Sequence, residues 1–109
     1  MSKTTIEKIE VKIKNNSALK DNSKSELLGL VSELKNELDK LPEENKNDAE
    51  SIANYANAST HEAIEKEDSK LLEHSLFGFK TAVEDFEVTH PQLTKVVNTI
   101  SVMLSNIGV

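Results

Sequence analysis

The clearest pattern along the chain is Leu27, Val31, Leu34, Leu38 and Leu41, aliphatic residues that step by 4, 3, 4 and 3. That spacing places all five on one side of an α-helix, as in the seam of a coiled coil or bundle. A helix is predicted from about Ser23 to Leu41, with Leu28 and Leu30 widening the apolar face, Glu33, Asn36, Glu37 and Lys40 on the wet side, and Pro42 as the stop. Ahead of it, Ile6, Ile9 and Ile13 also fall at helical spacing, and Thr4 followed by Glu7 has the form of a capping box. The same stretch carries Ile9, Val11 and Ile13 in alternation with charged residues, as an edge strand would. A lone strand would find no partner strand in the rest of the chain, so helix is the favoured reading.

Beyond the loop at residues 42–47, Asn47 or Asp48 is expected to cap a third helix. Its apolar positions are Ala49, Ile52, Ala53, Ala56, Ala63 and Ile64, with Tyr55 beside them. This small face admits close approach by a neighbouring backbone. Asp68 or Ser69 can cap again, so residues 48–87 read either as one long helix or as two. The next stripe is Leu72, Leu76, Phe79, Val83 and Phe86, flanked by Leu71 and Phe77, and Gly78 inside it suggests close helix packing. A last helix spans roughly Pro91 to Asn106, with Gly108 as its stop. Leu93, Val96, Val97, Ile100, Met103, Leu104 and Ile107 form one broad face, extended by Val102 and Val109. Lys95 is its only charged residue, so this helix is expected to be covered on more than one side, as a central helix or at a subunit interface.

These segments predict an all-α protein, an antiparallel bundle of four to five helices in one domain over residues 1–109. Composition agrees: Leu, Ile, Val and Phe contribute 30 of the 109 residues, enough for a packed core without crosslinks. Cysteine is absent, which removes disulfides, thiolate metal sites and cysteine nucleophiles, and fits a cytoplasmic protein. No signal-peptide-like apolar run occurs near residue 1, and no transmembrane segment is expected.

The formal charge of −6 arises entirely in residues 48–109, which hold four lysines and ten acids; residues 1–47 balance nine lysines with nine acids. All thirteen basic residues are lysine. An acidic chain without the planar guanidinium fork is a poor match to phosphate backbones, so nucleic-acid binding is not expected.

Candidate chemistry concentrates at "FEVTHPQL", residues 86–93, where Glu87 and His90 make a Glu-x-x-His step. Di-iron bundles use two such steps plus two further glutamates. Here there is one, and His61 and His74 have no metal-type spacing to His90. The structural alternative is a helix start: Thr89 with Gln92 as a capping box and Val88 with Leu93 as a hydrophobic staple, or His90 as N-cap with Pro91 as the first helical residue. In either case Glu87 closes the preceding helix. In "HEAIEKEDSKLLEH", residues 61–74, the pairs His61–Glu65 and Glu62–Lys66 read as a solvated helical face.

The segment "AVEDFEVTHPQLTKVVNTISVMLSNIGV" resembles the end of a family of short bacterial helical proteins known only as a domain of unknown function. The resemblance rests on Phe86, Glu87, His90, Pro91 and Leu93, then Leu104, Ser105, Asn106 and Gly108, and on the leucine-rich "SELLGLVSELKNEL". It covers about residues 23–41 and 71–109, with residues 43–68 resembling an extension. It implies a helical fold and brings no activity, cofactor or substrate.

The expected function is therefore a non-enzymatic structural or protein-interaction bundle, without cofactor, forming a homodimer and open to an unknown protein partner, with the face of residues 93–107 serving as either the central packing face or the subunit interface. The terminal "LSNIGV" could serve as a partner-binding end. The alternatives are a metal-binding bundle using Glu87 and His90, and a weak membrane-surface binder.

Overall fold

The computed structural model describes residues 2–66 and 68–108. In its first helix, α1 (Ser2–Asn15), Ile6, Ile9 and Ile13 are buried while Val11 is 55% exposed. A strand would have put Ile9, Val11 and Ile13 on one face. The helical period, not the alternation, describes this segment. The helix already runs at Ser2, so Thr4 lies inside it and is not its N-cap. Asn16 closes α1: its Oδ1 accepts from the Ala18 and Leu19 N–H groups at 3.0 and 3.1 Å, while its Nδ2 donates to the Ile64 carbonyl at 3.0 Å. One side chain thus shapes the turn and ties it to a distant part of the chain.

α2 (Asp21–Asp39) begins two residues before the expected Ser23 and buries Leu27, Val31, Leu34 and Leu38. Its end tightens into bonds from Lys40 N–H to Glu37 O and Leu41 N–H to Leu38 O. Leu41, just before Pro42, is steered away from helical geometry by the following ring. A 3₁₀ turn, Glu43–Asn45, leads into α3 (Lys46–His61). Asn47 and Asp48 therefore sit within the helix, and neither caps it. The N-cap is Asn45, whose Nδ2 instead reaches the Asp48 carboxylate at 3.0 Å.

Residues 48–87 form two helices with an irregular bridge. α3 passes into a π turn, Glu62–Lys66, which buries Ala63 and Ile64. α4 (Ser69–Ala82) then starts under a real cap, with Asp68 Oδ1 accepting from the Leu71 N–H at 3.0 Å. Leu72, Leu76 and Phe79 are buried along α4, and Val83 and Phe86 continue the stripe into a 3₁₀ turn, Glu84–Phe86. α5 (Pro91–Ile107) completes the chain.

The five helices close a ring: α1 packs on α2, α2 on α5, α5 on α4, α4 on α3, and α3 back on α1. The result is an all-α bundle with one core, and no strand occurs among the described residues. Its Cα radius of gyration is 12.8 Å, within 38 × 24 × 21 Å. α2 and α4 flank α5, and the π turn packs on it as well. Leu93, Val96, Val97, Ile100 and Leu104 are buried in this single chain, while Met103 and Ile107 are half-buried. Packing within the chain already covers this face; a second copy would have to meet a different surface. α5 ends with Gly108 N–H bonded to Leu104 O at 2.9 Å. Gly108 keeps a negative φ, so its role is close approach: a Cβ there would overlap Leu72. Val109, expected to extend the apolar face, lies outside the described residues.

Substitution in α1 separates its two geometries. Ile9→Ala should destabilise the fold by about 2–5 kcal/mol, whereas Val11→Thr should change stability by no more than about 0.5 kcal/mol, both read from urea unfolding. Comparable losses at both positions would contradict a helical α1.

Candidate functional site

The Glu-x-x-His step falls at the corner between α4 and α5. His90 is the N-cap of α5, with φ −137° and ψ 67°, and Pro91 is the first helical residue. The pyrrolidine disfavours helical geometry at His90 and supplies a ready helical φ itself. The backbone around His90 is fully used: its N–H donates to Phe86 O at 2.7 Å, and its carbonyl accepts from Leu93 and Thr94 N–H at 3.1 and 3.4 Å. Its ring meets Phe86 edge to face, with centroids 5.7 Å apart, and Nδ1 lies 3.1 Å from Thr89 Oγ1. Thr94 Oγ1 donates to Val83 O at 3.5 Å, tying the start of α5 to the end of α4.

Two details of the expected helix start are corrected. Thr89 is not the cap, because the chain turns helical one residue later. Val88 is 91% exposed, so no staple onto buried Leu93 forms. Glu87 is exposed and follows the 3₁₀ turn. Among the described residues, no group of three or more His, Asp or Glu side chains is placed so that it could hold a metal ion, at Glu87 and His90 or elsewhere. The geometry here is that of a joint, with His90 serving through its backbone and an aromatic contact.

In "HEAIEKEDSKLLEH" the His61–Glu65 pair forms, with Nδ1 3.2 Å from Oε1. The Glu62–Lys66 pair does not. The π turn spans both residues, and its wider i→i+5 winding shifts side chains off the i, i+4 register. Glu62 Oε2 is instead enclosed with no hydrogen-bond partner, as is Ser59 Oγ one turn earlier.

The surface with most to offer a partner lies on α4. Phe77 is 73% exposed, and Leu71, six residues earlier, is 51% exposed. Phe77 stands as a ridge between two shallow hollows. One, toward α3, is lined by Tyr55, Leu71, His74 and Gly78; the other, toward α5, by Glu73, Lys80, Val102 and Ser105. Tyr55 and Val102 are themselves exposed apolar side chains. The sequence marks Leu71 and Phe77 only as flanking the core stripe. The signal for a surface patch is the phase of α4: once Leu72, Leu76 and Phe79 point inward, Phe77 must point out.

Gly78 builds the floor of the first hollow. Any Cβ at this position would overlap the Tyr55 ring, so glycine allows α3's tyrosine to pack directly against the α4 backbone. In a Tyr55→Ala background, Gly78→Ala should stabilise the protein by about 0.5–1 kcal/mol through helix propensity. With Tyr55 in place that gain should disappear or reverse, because the ring must move. Equal effects in both backgrounds, measured by thermal or urea unfolding, would show that the tyrosine does not use this space.

No curated protein and no solved structure matches the chain. One family model does, described as Domain of unknown function (DUF4404), over residues 27–109. The match takes in the leucine stripe of α2, both helices of the 48–87 stretch, the His90–Pro91 corner and α5. The chain belongs to the DUF4404 family.

Proposed function

We propose that this chain is a small, non-enzymatic interaction module that works by associating with protein surfaces, in the first place with a second copy of itself. The observation that carries the reading is the apolar ridge at Phe77 with Leu71, Tyr55 and Val102 around it, on a surface otherwise rich in charge. An exposed phenylalanine stays in water at a free-energy cost that burial against a partner removes, and aromatic residues are enriched at protein interfaces. The core consumes the apolar face of residues 93–107, so α4 takes over the role of contact surface. On this reading the corner at Phe86, Glu87, His90 and Pro91 is a structural signature of the bacterial family, aiming α5 into the bundle. A cytoplasmic setting suits a chain without cysteine. No helix among the described residues is long and apolar enough to cross a membrane.

Sedimentation equilibrium over roughly 1–500 μM is the direct test, a span chosen to bracket the micromolar range typical of weak association. The 12.1 kDa chain should approach twice that mass as concentration rises. A mass that stays at 12.1 kDa throughout would reject self-association.

A further inference from the structure

The exposed face of α4 and the turn after it carries an ordered sequence of charges about Phe77. Lys70, Glu73, Phe77 and Lys80 recur at steps of 3, 4 and 3 along α4 and so form one stripe, Glu84 follows at the next step in the 3₁₀ turn, and all five are exposed. The order is plus, minus, Phe, plus, minus. Among the described residues, none of the four charged side chains takes part in an ion pair within the chain.

We infer that this stripe is a self-complementary docking surface for a second copy of the chain, packed antiparallel on α4 about a two-fold axis at Phe77. The inference rests on the self-association proposed above and names the surface that performs it. In a two-fold contact, the residue n positions before the axis meets the residue n positions after it on the partner. With the axis at Phe77, Glu73, four positions before it, falls one residue out of direct register with Lys80 of the partner subunit, three positions after it, an offset of about 1.5 Å along the helix that these long side chains span. Lys70 comes opposite Glu84 of the partner subunit. Every charge then lies opposite or one residue from an opposite charge, four pairs in all, because the symmetry repeats each one. Other registers fail. A parallel pairing sets lysine against lysine and glutamate against glutamate. An antiparallel pairing shifted by one heptad sets Phe77 against Lys70 or Glu84 of the partner subunit, according to the direction of the shift.

The shape agrees with the charge. Packed helices sit about 8–10 Å apart, within reach of lysine and glutamate side chains from both sides. The Phe77 ridge has a hollow on each flank, so two ridges can sit side by side rather than tip to tip. The hollow over Gly78 and Tyr55 offers apolar surface for the partner's ring. Apolar centre and charged ends also match the usual division of an interface into dry core and wet rim. The second half of the chain carries the −6 net charge, which alone would push two copies apart. On α4, Lys70 and Lys80 outnumber Glu73, giving this part of the surface the local balance that lets copies approach.

Charge reversal tests the register with residues whose side chains are already exposed. At low salt, Glu73→Lys and Lys80→Glu should each weaken the dimer by about tenfold, since each change acts twice across the two-fold. The combined Glu73→Lys/Lys80→Glu protein should return to within about twofold of the parent, because reversing both signs restores every pair. In this cysteine-free chain, Phe77→Cys should give a disulfide-linked dimer on mild oxidation, while Val11→Cys on the remote α1 should not. Circular dichroism of each variant checks that the helices remain. A parent dimer whose affinity is unmoved by both single reversals, with no cross-link at position 77, would overturn this surface and leave self-association standing. A parent that is monomeric at every concentration would overturn both.

Discussion

The small-residue face of α3 is the constraint on which the arrangement depends. Ala49, Ala53 and Ala56 are buried with Ile52, and α3 is the helix against which α1 and α4 both pack. Short side chains allow those two neighbours to approach closely, so that five short helices can close into one ring. A larger residue at any of these alanines would force the walls apart, at a cost of typically about 1–3 kcal/mol for an overpacked core. The bulk that fills the centre comes from the others: the isoleucines of α1, the leucines of α2, Phe79 of α4 and the valines of α5. The single small face of α3 is set between the larger faces of α1 and α4, and matching short side chains to long ones is how a core reaches high packing density.

Closing the ring also demands that the chain change direction at defined points, and local devices supply the turns. Asn16 organises the α1–α2 turn and reaches the carbonyl of Ile64 in the π turn. The π turn rotates the chain so that Ala63 and Ile64 enter the core after α3 has ended, and Thr60 assists by bonding back to the Ala56 carbonyl at 2.8 Å. The enclosed, unpartnered Ser59 Oγ and Glu62 Oε2 show the cost of that local irregularity. At the other end, Pro91 and the backbone of His90 set the direction of α5. His90 holds this corner through its backbone hydrogen bonds and its edge-to-face contact with Phe86.

With the core satisfied, the remaining apolar surface is informative by its position. α5 is almost free of charge, and its exposed strip is mostly Gln, Asn and Thr with Lys95 and Val102. α4 keeps its inner face in the core and still presents Leu71 and Phe77 outward, between flanking charges. The two phenylalanines on either side of Gly78 thus have opposite duties: Phe79 is fully buried and Phe77 is not. A two-residue offset on a helix turns a side chain by more than half a circle, so neighbours in sequence become strangers in space.

Periodicity alone determined the helical class, the α2 seam, the α4 and α5 stripes and most of the buried set within them, while residue type offered Asp68 or Ser69 as a cap, of which Asp68 is used. These depend on spacings within one element, which the chain displays directly. The helix at α1 was legible only as the better of two readings, because its isoleucines satisfy a helical period and an alternating one at once; burial of Ile6 with exposure of Val11 resolves it. Two things required the tertiary structure. Whether the face of residues 93–107 serves the core or a partner depends on what α2 and α4 bring against it. That Leu71 and Phe77 both stay in water depends on what packs against α4: α3 and α5 cover the side bearing Leu72, Leu76 and Phe79 and leave these two outside. An apolar stripe records that a side chain can be buried, and only packing decides by whom.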